Sequence, residues 1–185
     1  MVGSFVRLAA AASFSLTLAA CASGPATDYS DRLAGDNPPR PATHGTHIEN
    51  PDHPSQCVPY ARARSGIDLY GDASTWWDAA AGRYERGPEP KLGAVIVMTG
   101  YAGARRAHLA VVEDMVSSRE IRVDHANWLN DGAIYMDDPV VDVSPDNDWT
   151  EVRVWNPQTN AWGIRTYLVR GFIGPSSDAQ QIASR

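Results

Sequence analysis

The sequence predicts an α+β domain in which short N-terminal helices pack on an antiparallel β-sheet. Three observations carry this expectation. In the folding part of the chain, helical signals come first and strand signals follow. The turns between the strands are of hairpin length. The composition is that of an ordinary globular chain, with 43% hydrophobic and 21% charged residues among 185. That suffices for one domain whose core needs no disulfide or metal.

The helical signals begin at Ser55, which can cap a helix whose first turn is Gln56-Cys57-Val58-Pro59. Pro59 is tolerated there because first-turn amides lack intrahelical partners. The helix is expected to run to Ser65 and to stop at Gly66. A second helix is expected from Ser74 to Ala81, with Gly82 as its cap. The period then becomes two. Gly93 to Met98 and His108 to Asp114 read as strands, and Glu120 to Trp128 follows a turn at Ser117-Ser118-Arg119. Val140 to Val143, Trp149 to Trp155 and Gly163 to Val169 supply further short strands. Residues 156–160 form the turn between the last two.

Upstream of this lies a different kind of sequence. Arg7 is followed by Leu8 to Ala20 without a charge. One positive charge before a short apolar run is the pattern of a secretory signal peptide, and a bilayer span needs about 20 apolar residues. The organisation expected is a signal peptide over 1–20, a Pro-rich linker over 21–54, a catalytic domain over 55–175 and a flexible tail over 176–185. The linker holds Pro25, Pro38, Pro39, Pro41, Pro51 and Pro54. His44, His47 and His53 also lie there, and a solvated linker explains them better than a metal site does.

The formal charge is −6 with a pI near 5.2. No basic block stands out, so a nucleic-acid partner is not expected. Losing residues 1–20 removes only Arg7 and takes the charge from −6 to −7. Cell-wall polymers and lipid headgroups are themselves mostly anionic, so charge would not hold this domain there. Two cysteines exclude a disulfide-dense scaffold and a four-cysteine metal site. No cofactor is implied, and a monomer is expected.

A site can be read from the strand residues. Along Glu120 to Trp128, Ile121, Val123, His125 and Asn127 share one face, while Arg122, Asp124, Ala126 and Trp128 share the other. The first face begins apolar and ends polar, as a strand does on leaving a core for a cleft. Pairing across the Ser117 turn brings His108 near His125 or Asn127. Cys57 sits in the first turn of a helix, where the dipole favours a thiolate. A thiolate beside an imidazole is suited to acyl transfer. On spacing alone, His125 and Asn127 are both open as the group that orients His108, a Cys-His-His zinc site is a rival, and a buried inert cysteine is the bland alternative.

Two resemblances narrow these readings. Leu18-Ala19-Ala20-Cys21 resembles a bacterial lipobox, which implies that Cys21 is acylated and becomes the new N-terminus. Two or three acyl chains anchor a domain firmly, and Ala22 after the cysteine favours the outer over the inner membrane. The expected location is the periplasmic side of a bacterial cell envelope. The second resemblance is to the CHAP family, the cysteine- and histidine-dependent amidohydrolases and peptidases. It rests on the segments Ser55–Arg62, Ala73–Trp77, Pro90–Val97, Ala107–Glu113 and Asp124–Trp128.

The CHAP resemblance implies a papain-like fold and amide hydrolysis in peptidoglycan, by an amidase or a stem-peptide endopeptidase. It implies Cys57 as nucleophile, His108 as base and His125 or Asn127 as the orienting group. The Cys57 amide and the Gln56 side chain are candidate oxyanion donors. Tyr60, Trp76, Trp77, Tyr101 and Trp128 are candidates to line the substrate groove. Two positions depart from the pattern: Ala107 stands where glycine is usual, and His125 stands where many members have a glutamate. Because His125 replaces an acid, a non-catalytic wall-binding lipoprotein is an alternative, and an acyltransferase using the same nucleophile is another.

Overall fold

The structure, a computed structural model, describes Pro38, Pro41, residues 45–101, Gly103 and residues 105–174. The expected signal segment, Cys21, most of the linker and the tail lie outside the described residues.

Among the described residues, nine strands form one sheet. They are β1 (His47–Glu49), β2 (Arg86–Gly87), β3 (Val95–Thr99), β4 (Ala107–Met115), β5 (Glu120–Ala126), β6 (Ile134–Asp142), β7 (Glu151–Asn156), β8 (Ala161–Trp162) and β9 (Tyr167–Ile173). The helices are α1 (Cys57–Ser65) and α2 (Trp76–Ala79), the latter preceded by a 3₁₀ turn at Ala73–Thr75.

The expectation of a papain-like α+β fold, with helices packed on an open antiparallel sheet, is overturned. The order β6-β5-β4-β3-β9-β7 returns to β6 through a further β6–β7 pairing. These six strands close into a barrel, β1, β2 and β8 are additions to it, and the two helices are short. Closure leaves no bare edge along the ring. It also explains why Val95 to Met98 are all buried. One face of β3 lines the barrel and the other lies under the helical segment.

The two faces have separate cores. Ile96, Met98, Ala110, Val112, Ile121, Val123 and Tyr135 fill the barrel. Val95, Val97, Leu109 and Val111 face outward and pack with Ala61 of α1, Ile67, Leu69 and Trp76. Period-two alternation along β3 and β4 thus assigns each residue to one core or the other.

The first helix begins one residue later than its expected cap. Gln56 is the N-cap, and Gly66 ends the helix in the left-handed region at φ 72° with its amide on Arg62 O. Arg62 and Arg64 in the last turn suit the helix dipole. Segment 47–49, read as linker, adds β1 to β6. Strand β6 starts at Ile134, six residues before the expected Val140.

Candidate active site

The site forms where β4 and β5 reach the end of the barrel opposite their connecting turn. Val111 pairs with Asp124 and Val112 with Val123, the register expected from the Ser117 turn. His108 and His125 are then diagonal neighbours on the barrel-facing side, within reach of each other. His108 Nε2 lies 3.0 Å from His125 Nδ1. His125 Nε2 lies 3.0 Å from Asp138 Oδ2, and Thr46 Oγ1 donates to Asp138 Oδ1 at 2.5 Å. His125 and Asp138 are fully buried, and His108 is 1% exposed.

Sequence reasoning missed Asp138 because of a bulge. Val123 pairs with Asp138, but His125 pairs with Tyr135, so the register shifts between them. Asp137 takes up the extra residue at φ 56°, and its amide bonds Asp124 Oδ1. Tyr135 and Asp138 both face the interior although they are three residues apart, which simple alternation forbids. The one legible signal was the pair Asp137-Asp138 inside an otherwise apolar strand.

The strand expected to reach Trp128 ends at Ala126, and Asn127 turns at φ 60°. Two expectations change with it. Trp128 was placed on the face opposite His125, yet its ring packs 4.8 Å from His108 and 5.3 Å from His125, centroid to centroid. The Asn127 side chain hydrogen-bonds to Gln56 and Gly132 rather than to His108. Its Oδ1 accepts from the Gly132 amide at 2.8 Å, which leaves Nδ2 to donate to Gln56 Oε1 at 3.0 Å. With Oε1 occupied, the Gln56 amide nitrogen is the end free for a ligand.

Cys57 is the first residue of α1 and is half-buried. Ser55 N bonds Gly132 O at 2.9 Å, tying the helix entry to the loop after β5. Gly132 has φ 74°, and a Cβ there would lie 2.5 Å from Pro54 Cβ, so this clasp requires glycine. The Cys57 thiol packs against the outward core and meets the backbone amide of Leu109, the residue after His108.

Burial raises the thiol pKa, and amides of Leu109, Val58 and Cys57 with the Arg106 charge offset this only in part. The expectation of a resting thiolate therefore gives way to a protonated thiol. His108 is held well below the usual imidazole range, chiefly by burial and then by His125, so it is neutral at pH 7. The thiol thus meets β4 at Leu109, next to His108 in sequence, and a protonated thiol and a neutral imidazole are the forms a nucleophile and its base take before proton transfer. The two imidazoles bond each other through ring nitrogens. Among the described residues, no three His, Cys, Asp or Glu side chains are arranged to hold a metal.

A groove of about 290 Å³ opens beside the thiol, lined by Gln56, Cys57, Asp72, Ser74, Arg105 and Arg106 among others. A larger hollow of about 690 Å³ lies around Ser117, Arg119 and Ser144, at the far end of the β4–β5 hairpin, and holds no cysteine or histidine.

The aromatic candidates divide. Trp76 and Trp128 are buried and belong to the two cores. Trp77 packs against the outward core beneath Arg86. Tyr60 is half-buried near Asp124 and Arg64, with its hydroxyl pKa pushed up to about 12, mainly by burial. Tyr101 does wall the site. Its ring is 4.9 Å from His108, its hydroxyl donates to Asn127 O and Trp128 O, and burial, then neighbours including Cys57, raise its pKa to about 12. Asp124 faces outward, where Arg64 Nε binds it at 3.1 Å.

The family model of the CHAP domain matches residues 48–127. No curated protein and no solved structure matches the chain.

Proposed function

We propose, from the premise that this chain carries a CHAP domain at residues 48–127, that it hydrolyses an amide bond of peptidoglycan through a thioester on Cys57. The observation that carries the reading is the histidine pair: His108 is neutral, and its Nε2 is engaged by His125. Nδ1 is left as the ring nitrogen able to take the thiol proton.

In this mechanism the Cys57 sulfur attacks the substrate carbonyl as His108 Nδ1 accepts the thiol proton. The Cys57 amide and the free end of Gln56 stabilise the developing oxyanion. His108 then gives its proton to the departing nitrogen, the C–N bond breaks, and a thioester remains. Water attacks this thioester, returning a proton through His108 to sulfur and releasing a carboxylate. His125 keeps the His108 ring in place throughout. Tyr101 and Trp128 shield that ring from water.

The experiment is digestion of isolated peptidoglycan, with products identified by mass spectrometry. The wild type is expected to release fragments with a new amine and a new carboxyl, and the position of the cut distinguishes the sugar–peptide amide from a stem-peptide bond. Products joined to a second amine instead would make the protein a transpeptidase, and no products would leave a wall-binding role. We also propose that Cys21 carries the lipid anchor at the periplasmic side of the envelope, on the strength of Leu18-Ala19-Ala20-Cys21. Cys21→Ala is expected to leave the membrane fraction, and an unchanged distribution would overturn this.

A further inference from the structure

We infer that Asp138 is a positioning residue that sets which nitrogen carries the proton on both histidines, and so makes His108 Nδ1 a base. The inference rests on the proposed roles of Cys57 and His108. Asp138 lies beyond the segment that the family model matches, and the bulge at Asp137 turns it toward His125.

The argument is one of donors and acceptors. A carboxylate can only accept. Asp138 Oδ2 is 3.0 Å from His125 Nε2, so that nitrogen carries the hydrogen. With the His125 ring taken as neutral, its one N–H is at Nε2, which makes His125 Nδ1 an acceptor. It lies 3.0 Å from His108 Nε2, which must then be the donor. The lone pair of His108 is thereby fixed at Nδ1. Thr46 Oγ1 occupies the other carboxylate oxygen, and neither Asp138 nor His125 meets solvent. Their burial closes off bulk solvent as a route for exchanging these roles. The missing family acid is thus supplied one residue further back, with His125 as the spacer that passes its orientation on.

Two measurements on the full-length protein test this. Proton-detected nitrogen NMR of the wild type is expected to show both buried rings protonated at Nε2. The second is the rate of iodoacetamide alkylation at Cys57, followed by the mass of the peptide that carries it. Asp138→Asn keeps the shape but offers an N–H to His125, which favours the opposite tautomer in both rings. It is expected to slow alkylation by ~10- to 100-fold, at or below the lower end of what a general base contributes, with unchanged circular dichroism and a shift of the imidazole protons to Nδ1. A wild-type ring protonated at Nδ1 overturns the inference whether or not the variant folds. So does a variant with unchanged alkylation and unchanged tautomers. His108→Ala separates the two levels. If it too leaves alkylation unchanged, the pairing of Cys57 with His108 fails. If it slows alkylation while Asp138→Asn does not, only the role of Asp138 fails.

Discussion

Strand β5 carries a carboxylate network on each face, and the two networks do different work. Inside the barrel, His125 and Asp138 are sealed at 0% side-chain exposure. Outside, Asp124 is 7% exposed and bonds Arg64, which is 47% exposed and also reaches Glu113. The inner network is a chain of single contacts that runs from Thr46 through Asp138 and His125 to His108. The outer network is a bridge between α1 and the β4–β5 hairpin, and Arg64 keeps contact with water. Under the proposed mechanism, the inner face aims the base, and the outer face holds the helix that presents the nucleophile. Solvent access makes the difference, because water around Arg64 screens the charges, while burial of His125 and Asp138 leaves their hydrogen bonds unscreened.

The sharpest break of this comparison is removal of the reacting groups themselves. Cys57→Ala and His108→Ala are each expected to lower peptidoglycan cleavage by on the order of 10⁴-fold or more, with the circular dichroism spectrum retained. Removing a supporting group should cost less. His125→Ala leaves nucleophile, base and oxyanion donors in place, so a residual rate above both of those variants is expected. Asp124→Ala, on the opposite face, should lower melting temperature more than rate. If Asp124→Ala is inactive while folded and His125→Ala is normal, the two faces have been assigned the wrong roles.

A second comparison tests the oxyanion side. Gln56→Ala deletes the donor and is expected to lower the cleavage rate constant by about 10²-fold, within the usual range for one donor. Asn127→Ala removes only its tether and should cost less. Equal losses would mean that Asn127 acts for itself rather than through Gln56.

The buried histidine predicts acid sensitivity. The His108 pKa is depressed in the folded state, so the unfolded chain binds more protons below about pH 6.5. Stability is therefore expected to be full above that pH and to fall as pH drops from there toward the folded value. Melting temperatures from pH 8 to pH 5 check this, and His108→Gln should flatten the slope. The smallest expected effect is on the outer face. Arg64→Ala should lower stability by about 1 kcal/mol, given its exposure, with little change in rate measured below the melting temperature.

Much of the site was legible because its determinants are local. Cys57 at a helix start, the Ser117 turn and the alternation of Val123 with His125 follow from neighbours in sequence, and together they bring the two histidines into contact. Asn127 and Trp128 were misplaced because alternation was carried past Ala126. One left-handed residue ends the strand there, and nothing in its immediate neighbours requires the turn.

What the sequence determined by itself was therefore the first helix, the strands that carry His108 and His125 and the pairing of β4 with β5, since helix caps, turns and period-two patterns are short-range. Only the tertiary structure decided that the sheet closes, because the β6–β7 contact joins residues that no local pattern relates. It also decided that Asp138 stands behind His125 and that burial keeps the thiol protonated. Those outcomes depend on a bulge that shifts register by one residue and on the removal of water from atoms far apart in the chain, and both come into being only when the barrel is formed.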